Sequence, residues 1–117
     1  MKSVDVYKEN EKITTCGLAD SYFLRLRGLI GRRIEEVGGM LIKPCFQIHT
    51  FFMSYPIDVI YLDRENRIVR IDEKMGKSRC GKVVKTSSSV LELKSGEASR
   101  LGLKAGDRLT VSESCFE

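Results

Sequence analysis

The segment from Lys43 to Asp63 carries the side chains of the chain that are best suited to chemistry. It reads KPCFQIHTFFMSYPIDVIYLD and holds the only histidine, His49, four residues after Cys45. Such a pair can act as a nucleophile, because an imidazole favours the thiolate form of a nearby thiol. In an extended strand the two residues would lie about 13 Å apart, too far for direct contact. The spacing therefore favours a buried thiol and a hydrogen-bonded histidine, with Cys45 as the alternative nucleophile of a thiol hydrolase or transferase.

A metal site is the second chemistry that Cys45 and His49 suggest, together with a distant cysteine. The other cysteines are Cys16, Cys80 and Cys115, and no two of the four form a CxxC pair. Structural zinc sites usually contain close pairs, because two ligands then meet at one turn. We therefore predict free thiols, no metal and no cofactor.

Asp58 interrupts the apolar run IDVIYL. A carboxylate buried there must be paired or hydrogen-bonded, because an unpaired buried charge is strongly destabilising. We expect Arg25 or Arg27 to be its partner, since a guanidinium can hold a carboxylate through two parallel hydrogen bonds. Such a pair would be structural, or it would line a pocket. The same reasoning applies to Glu92 in VLEL, although that side chain could instead face water from a strand.

These polar side chains fall in two stretches that a compact fold should bring together. We therefore predict a pocket between the helix and loop at residues 20–33 and the segment 45–58, with a small molecule or a peptide as its ligand. Its predicted lining is Arg27, His49, Thr50, Phe52, Met53 and Asp58.

The basic residues do not predict nucleic acid as a partner. The formal net charge is only +4, and aromatic side chains for base stacking are not interleaved with the arginines at 25–33. Glu35 and Glu36 weaken the positive field further. A solvated basic face is the better interpretation.

Length and hydropathy limit the remaining possibilities. The 117 residues predict a single domain, 1–117, and 42% hydrophobic content is typical of a folded protein. No stretch approaches the roughly 20 apolar residues of a membrane span, and MKSVDVYKEN lacks the apolar core of a signal peptide. We therefore expect a cytoplasmic protein.

Strands outnumber helices in the pattern of apolar and turn residues. We predict an α+β domain with a mostly antiparallel, curled or barrel-like sheet and two short helices. One helix follows Asp20 as a predicted N-cap, and the other follows Ser95. Residues 28–39 are predicted to form a loop. The predicted strands are 3–8, 12–16, the segment GGMLIKP, 57–62, 67–71, VLEL and RLTVSE.

Three blocks of sequence then show a resemblance. They are RLRGLIGRR, GGMLI followed by IHTFFMSYPIDVIYLDRENRIVRI, and SVLELKSGEASRLGLKAGDRL. In this order they resemble the bacterial and archaeal family catalogued as domain of unknown function 192. Phe52 stands where many members carry Trp, and Ser54-Tyr55 replaces the usual Lys-Asn. The resemblance implies a compact, strand-rich α+β domain. It implies no activity, and some members are exported or lipid-anchored.

The sequence therefore favours a small non-enzymatic binding or accessory module with a polar-lined pocket. Two alternatives stay open. One is the Cys45–His49 thiol enzyme, and the other is a structural adaptor whose function lies in its surface.

Overall fold

Seven strands form one sheet in the computed structural model of the chain, which describes residues 2–50, 53–76 and 78–113 apart from the side chains of Tyr22 and Phe23. The strands lie in the order β5-β4-β6-β3-β2-β1-β7. Neighbours are antiparallel except β2 and β3, which are parallel. The strands are β1 (Ser3–Lys8), β2 (Glu11–Ala19), β3 (Met40–Ile42), β4 (Ile57–Leu62), β5 (Ile68–Met75), β6 (Ser89–Lys94) and β7 (Thr110–Glu113).

The sheet curls until its two edges meet. β7 pairs with β1 at one edge, and the residues just before β7 bond to the start of β5 at the other. The amide of Ile68 donates to the carbonyl of Asp107 at 2.8 Å, and the amide of Leu109 donates to the carbonyl of Asn66 at 2.9 Å. The predicted barrel-like α+β fold is therefore confirmed.

The central strands β3, β4 and β6 are buried on both faces. All six residues of β4 are buried, for example. An inner core fills the curl of the sheet, and an outer core lies under the first two helices and residues 45–48 and 53–55. This double burial explains why these strands read as continuous apolar runs. Alternation along β4 sends Ile60 and Leu62 to the inner core, and Val59 and Tyr61 to the outer core.

Three short helices are present in the described part of the chain: α1 (Tyr22–Arg27), α2 (Ile34–Val37) and α3 (Glu97–Arg100). α1 and α3 were predicted, whereas α2 lies in the predicted 28–39 loop. The N-cap of α1 is Ser21 and not Asp20, because the Ser21 hydroxyl accepts the amide hydrogen of Leu24 at 3.2 Å. No helix among the described residues is long and apolar enough to cross a membrane.

Gly38 and Gly39 let β3 enter the sheet between β2 and β6. Their φ angles are 74° and 135°, a region that side chains strongly disfavour. A Cβ at Gly38 would overlap the carbonyl oxygen of Thr15, and a Cβ at Gly39 would meet the carbonyl oxygen of Glu92 at 2.5 Å. The two glycines therefore allow the backbones to approach closely, and they fix β3 against the strand that carries Glu92.

Asp58 is fully buried, and its partners are backbone amides. Its Oδ1 accepts the Lys74 amide hydrogen at 2.8 Å, and its Oδ2 accepts those of Gly96 and Ala98 at 3.0 and 2.9 Å. The predicted pairing with Arg25 or Arg27 is therefore wrong.

Strand alternation gives the reason for this difference. Asp58 shares its face of β4 with Ile60 and Leu62, which belong to the inner core, whereas α1 packs on the outer core through Leu24. The sheet therefore separates the Asp58 carboxylate from the arginines of α1.

The carboxylate of Asp58 caps α3 from a neighbouring strand. Gly96 is the N-cap residue of α3 and has no side chain to offer, so the predicted role of Ser95 is wrong. Asp58 supplies the acceptor that an N-cap side chain normally provides. Its third bond, to Lys74, holds β5 where the pairing with β4 shifts register. One side chain thus ties together β4, β5 and α3.

We expect the substitution Asp58→Asn to lower the free energy of unfolding by about 2–4 kcal/mol. An amide keeps the shape of the side chain but turns an NH2 group toward amide donors. Urea unfolding followed by circular dichroism measures the loss. Asp63→Asn is the matched control, because Asp63 accepts the amide hydrogens of Glu65 and Arg67 in a surface turn. Equal losses in the two variants would contradict the central role of Asp58.

Candidate functional site

A cavity of about 330 Å³ opens on the outer face of the sheet, between α1, residues 42–49 with Met53, and β6. We call it the Glu92 cavity, after the acid that lines it. Its size falls at the small end of ligand pockets, which run from about 300 to 1,000 Å³. The polar side chains that line it are Arg25, Cys45, Gln47, His49 and Glu92. The apolar ones are Leu26, Leu29, Ile42, Pro44, Phe46, Ile48 and Met53.

Backbone hydrogen bonds hold the segment 43–50 that forms one wall of the cavity. The amide of Cys45 donates to the carbonyl of Ser88 at 3.0 Å, and the amide of Gly81 donates to the carbonyl of Ile48 at 2.8 Å. His49 pairs with Cys80 in an isolated β-bridge. The wall is therefore attached to residues 79–88 along its length, and the opposite wall is α1.

Glu92 lies at the base of the cavity and is only 4% exposed. A Cβ at Gly28, just after α1, would lie 3.6 Å from its Oε1. Among the described residues, no hydrogen bond or ion pair reaches its carboxyl group. Burial raises the pKa of Glu92 to about 8. At neutral pH the acid is therefore mostly protonated.

The alternative in which Glu92 faces water from its strand is wrong. Glu92 shares the outer face of β6 with Val90, and that face is covered by α1 and residues 44–49 with Met53. Leu91 and Leu93 face the inner core on the other side. Both faces of β6 exclude water, so the carboxyl group can meet solvent only through the cavity.

Arg25 is the second charged group of the cavity. It is half-buried on α1, and its Nη1 lies 3.5 Å from the carbonyl oxygen of Pro44. Its Nε is buried without a hydrogen-bond partner. No ion pair within 4.0 Å joins Arg25 to Glu92 among the described residues. The cavity thus holds a guanidinium and a carboxyl group that do not neutralise each other.

Cys45 is the candidate nucleophile in the wall. Its Sγ donates to the carbonyl of Gln47 at 3.2 Å. Burial raises the pKa of its thiol, and the Glu92 carboxyl adds to this effect, while the backbone of Gln47 and the charge of Arg25 oppose it. A raised pKa disfavours the thiolate that nucleophilic catalysis needs. In the part of the chain that is described, no three Cys, His, Asp or Glu side chains cluster so as to hold a metal ion.

The structure places two of the predicted pocket residues at the cavity. His49 lines it from an exposed position, and Met53 lines it from a buried one. Phe52 lies outside the described residues.

The other three predicted pocket residues lie elsewhere. Arg27 is exposed, and its Nε donates to the carbonyl of Ile30 at 3.0 Å. Thr50 is buried and joins two loops, because its hydroxyl accepts the amide hydrogen of Arg79 at 2.7 Å. Asp58 faces the inner core.

Two lining residues that the pocket prediction omitted, Arg25 and Glu92, carry its strongest polar groups. The sequence holds a signal for Glu92. SVLEL is apolar on both sides of the acid, which is typical of a strand buried on both faces. On such a strand a glutamate has no water to face.

We expect the stability of the protein to fall as the pH rises from about 4.5 to about 8, by an amount on the order of a few kcal/mol. In this window the folded state keeps a proton on Glu92 that the unfolded chain has lost. The contribution of protonated Glu92 is thus complete below pH 4.5 and is lost through pH 8. Urea unfolding at a series of pH values measures it.

The substitution Glu92→Gln should flatten this profile, because an amide does not titrate. Glu11→Gln, at an exposed position in β2, is the control and should keep the native profile. An unchanged slope in the Glu92→Gln variant would show that another group causes the pH dependence.

Comparison with known structures supports the fold. A protein of unknown function from Novosphingobium aromaticivorans is similar with a TM-score of 0.74 and 24% identity, over 92% of this chain and 83% of that one. A protein from Sinorhizobium meliloti, described as a candidate transcription regulator, is similar with a TM-score of 0.76 and 24% identity, over 94% of this chain and 92% of that one. At this level of identity the likeness shows the fold alone.

Sequence comparison identifies the family. No curated protein is significantly similar to the chain. Residues 4–111 match the family of the domain of unknown function 192, whose description is "Uncharacterized ACR". The match spans nearly the whole chain and agrees with the three sequence blocks. The chain therefore belongs to the family of the domain of unknown function 192.

Proposed function

We propose that this protein is a small-molecule-binding module without catalytic activity of its own, and that its ligand occupies the Glu92 cavity. The carboxyl group of Glu92 carries the proposal, because it is buried and has no hydrogen-bond or ion-pair partner in the part of the chain that the structure describes. Buried polar groups in folded proteins are nearly always hydrogen-bonded, so each exception needs an explanation. A ligand that bonds to Glu92 supplies one.

Asp58 provides the contrast within the same sheet. Both acids lie on central strands and both are shielded from water. Asp58 accepts three backbone hydrogen bonds, whereas Glu92 has no partner among the described residues. The fold therefore satisfies one buried acid fully and leaves the other directed at a cavity. This difference favours a structural role for Asp58 and a ligand-binding role for Glu92.

The mouth of the cavity supports a ligand that is partly apolar. Leu26 and Phe46 line the cavity and are 57% and 54% exposed. Large apolar side chains at the rim of a pocket are typical of binding sites, because ligand binding removes their surface from water. Together with the buried Glu92, they favour an amphipathic small molecule.

The thiol-enzyme alternative receives little support from the geometry. The thiol of Cys45 is hydrogen-bonded to a carbonyl oxygen, and its pKa is raised. A cysteine nucleophile needs the opposite, a lowered pKa with a cation or a base beside the sulfur. Cys45 therefore acts in this proposal as part of the cavity wall.

We expect iodoacetamide to label Cys45 more slowly at pH 7 than it labels the same residue in the urea-unfolded chain, because the folded environment disfavours the thiolate. Mass spectrometry of the Cys45 peptide measures both rates. The unfolded chain is the matched control, since its sequence context is identical. Faster labelling in the folded protein would favour the enzyme.

A thermal-shift screen tests the binding proposal directly. We expect at least one compound from a library of sugars, short peptides, amino acids and small anions to raise the melting temperature. A ligand at about 100 times its dissociation constant stabilises a fold by about 2.7 kcal/mol. The shift should vanish in Glu92→Gln and persist in Glu11→Gln. Amide chemical shifts of residues 45–49 should change on binding.

Two outcomes would contradict binding in the cavity. One is that no compound stabilises the protein. The other is that every stabilising compound acts equally on the native protein and on Glu92→Gln. A stable oligomer found together with the first outcome would favour the structural adaptor.

A further inference from the structure

The Glu92 cavity is lined by the guanidinium of Arg25 and by the carboxyl group of Glu92, which can ionise when a cation binds beside it. Arg25 comes from α1 and Glu92 from β6, and both line the same 330 Å³ space. No ion pair joins them among the described residues, although an arginine and a glutamate in one cavity would gain energy by pairing. Their separation leaves both groups available to a third partner.

We infer that the ligand is an α-amino acid with an apolar side chain, whose ammonium group binds Glu92 and whose carboxylate binds Arg25. This inference rests on the proposed function of the cavity and specifies its ligand class. It goes further than the binding proposal, which any partly apolar molecule with one polar group would satisfy.

Charge complementarity selects a zwitterion over a singly charged ligand. An amine alone would bring a second positive charge into a cavity that already contains the guanidinium of Arg25. A carboxylate alone would pair with Arg25 but would leave Glu92 protonated, so that only one of the two possible ion pairs would form. A ligand with both groups neutralises both sites at once, and like charges in an interface are unfavourable.

The apolar lining selects the side chain of the amino acid. Leu29, Ile42, Ile48 and Met53 are buried and line the cavity together with the two polar groups. A polar side chain would lose hydrogen bonds to water against this wall, whereas an aliphatic side chain would not. A cavity near 300 Å³ also suits a molecule of this size better than a longer peptide.

The protonation of Glu92 gives the inference a second readout. Several titratable or charged groups surround this acid: Arg25 on α1, Cys45 and His49 in the facing segment, Tyr55, and Tyr61 on β4. Because burial raises its pKa to about 8, Glu92 is mostly protonated at neutral pH. An ammonium group favours the ionised form, so binding at pH 6.5 should release a proton to the buffer.

Isothermal titration calorimetry with three matched probes tests the inference. The three probes share the same branched alkyl group. Leucine carries both charges, 4-methylpentanoate carries only the carboxylate, and 3-methylbutylamine carries only the ammonium group. We expect leucine to bind and each singly charged analogue to bind at least about tenfold more weakly. Titrations of leucine at pH 6.5 in phosphate and in Bis-Tris should differ in enthalpy, because the released proton is taken up by buffers of different ionisation enthalpy.

Two variants of the cavity test which charged group of the ligand binds Glu92 and which binds Arg25. Glu92→Gln should weaken the binding of leucine and of 3-methylbutylamine by about tenfold or more, and should leave the affinity for 4-methylpentanoate unchanged. Arg25→Gln should instead weaken the binding of leucine and of 4-methylpentanoate. Arg27→Gln is the matched control, because Arg27 lies on the same helix but is exposed and does not line the cavity. It should bind leucine like the native protein.

Equal affinity of the native protein for leucine and for one analogue would overturn the inference. So would failure of all three probes to bind while another compound shifts the melting temperature in a Glu92-dependent way. That second result would leave the binding function standing and replace only its ligand class. The binding function and the amino-acid ligand class would both be contradicted only if no compound in the wider screen bound at the cavity.

Discussion

Burial of the central strands on both faces is the constraint on which the rest of this structure depends. Because β4 and β6 exclude water from each side, an acid on either strand is strongly destabilising unless it is hydrogen-bonded by the protein or by a bound molecule, or stays protonated. Each of the two strands carries one acid. Asp58 finds three backbone amides and fastens β5 and α3 to β4. Glu92 finds a cavity. The burial of an acid thus leads to hydrogen bonds that connect three elements at Asp58, and to a candidate binding site at Glu92.

The hairpins of this fold could be predicted from sequence because their signals are local. The alternation around Ile68 and the polar turn after Leu62 specify β4 and β5 without reference to the rest of the chain. α2 has only four residues, which is too short for a helical period to show. The partners of Asp58 were not predictable from residue types either, because all three donors are backbone amides that any residue supplies. The expected arginine partner was wrong because alternation along β4 turns Asp58 to the inner core.

The position of the candidate site was predicted better than its lining. The two stretches expected to meet, residues 20–33 and 45–58, both border the Glu92 cavity, the first through α1 and the second through residues 45–49 and Met53. Which side chains turn inward depends on helix rotation, which sequence spacing in a six-residue helix does not fix. Arg25 and Arg27 are two positions apart, so they point about 200° apart around the helix axis. Only Arg25 lines the cavity, and Arg27 lies at the surface.

Glu92 places an acid on a buried face of β6 that favours apolar side chains. Val90 occupies the same face of β6 two positions earlier and packs fully buried in the outer core, which shows that an apolar side chain fits this surface. An acid there is destabilising, since burial alone raises its pKa to about 8. Sequences that specify a fold are locally consistent, and departures from that consistency concentrate at functional sites. Glu92 both lowers the stability of the fold and faces the cavity, where its carboxyl group can bind a ligand. That coincidence is expected of a binding site and is not explained by packing.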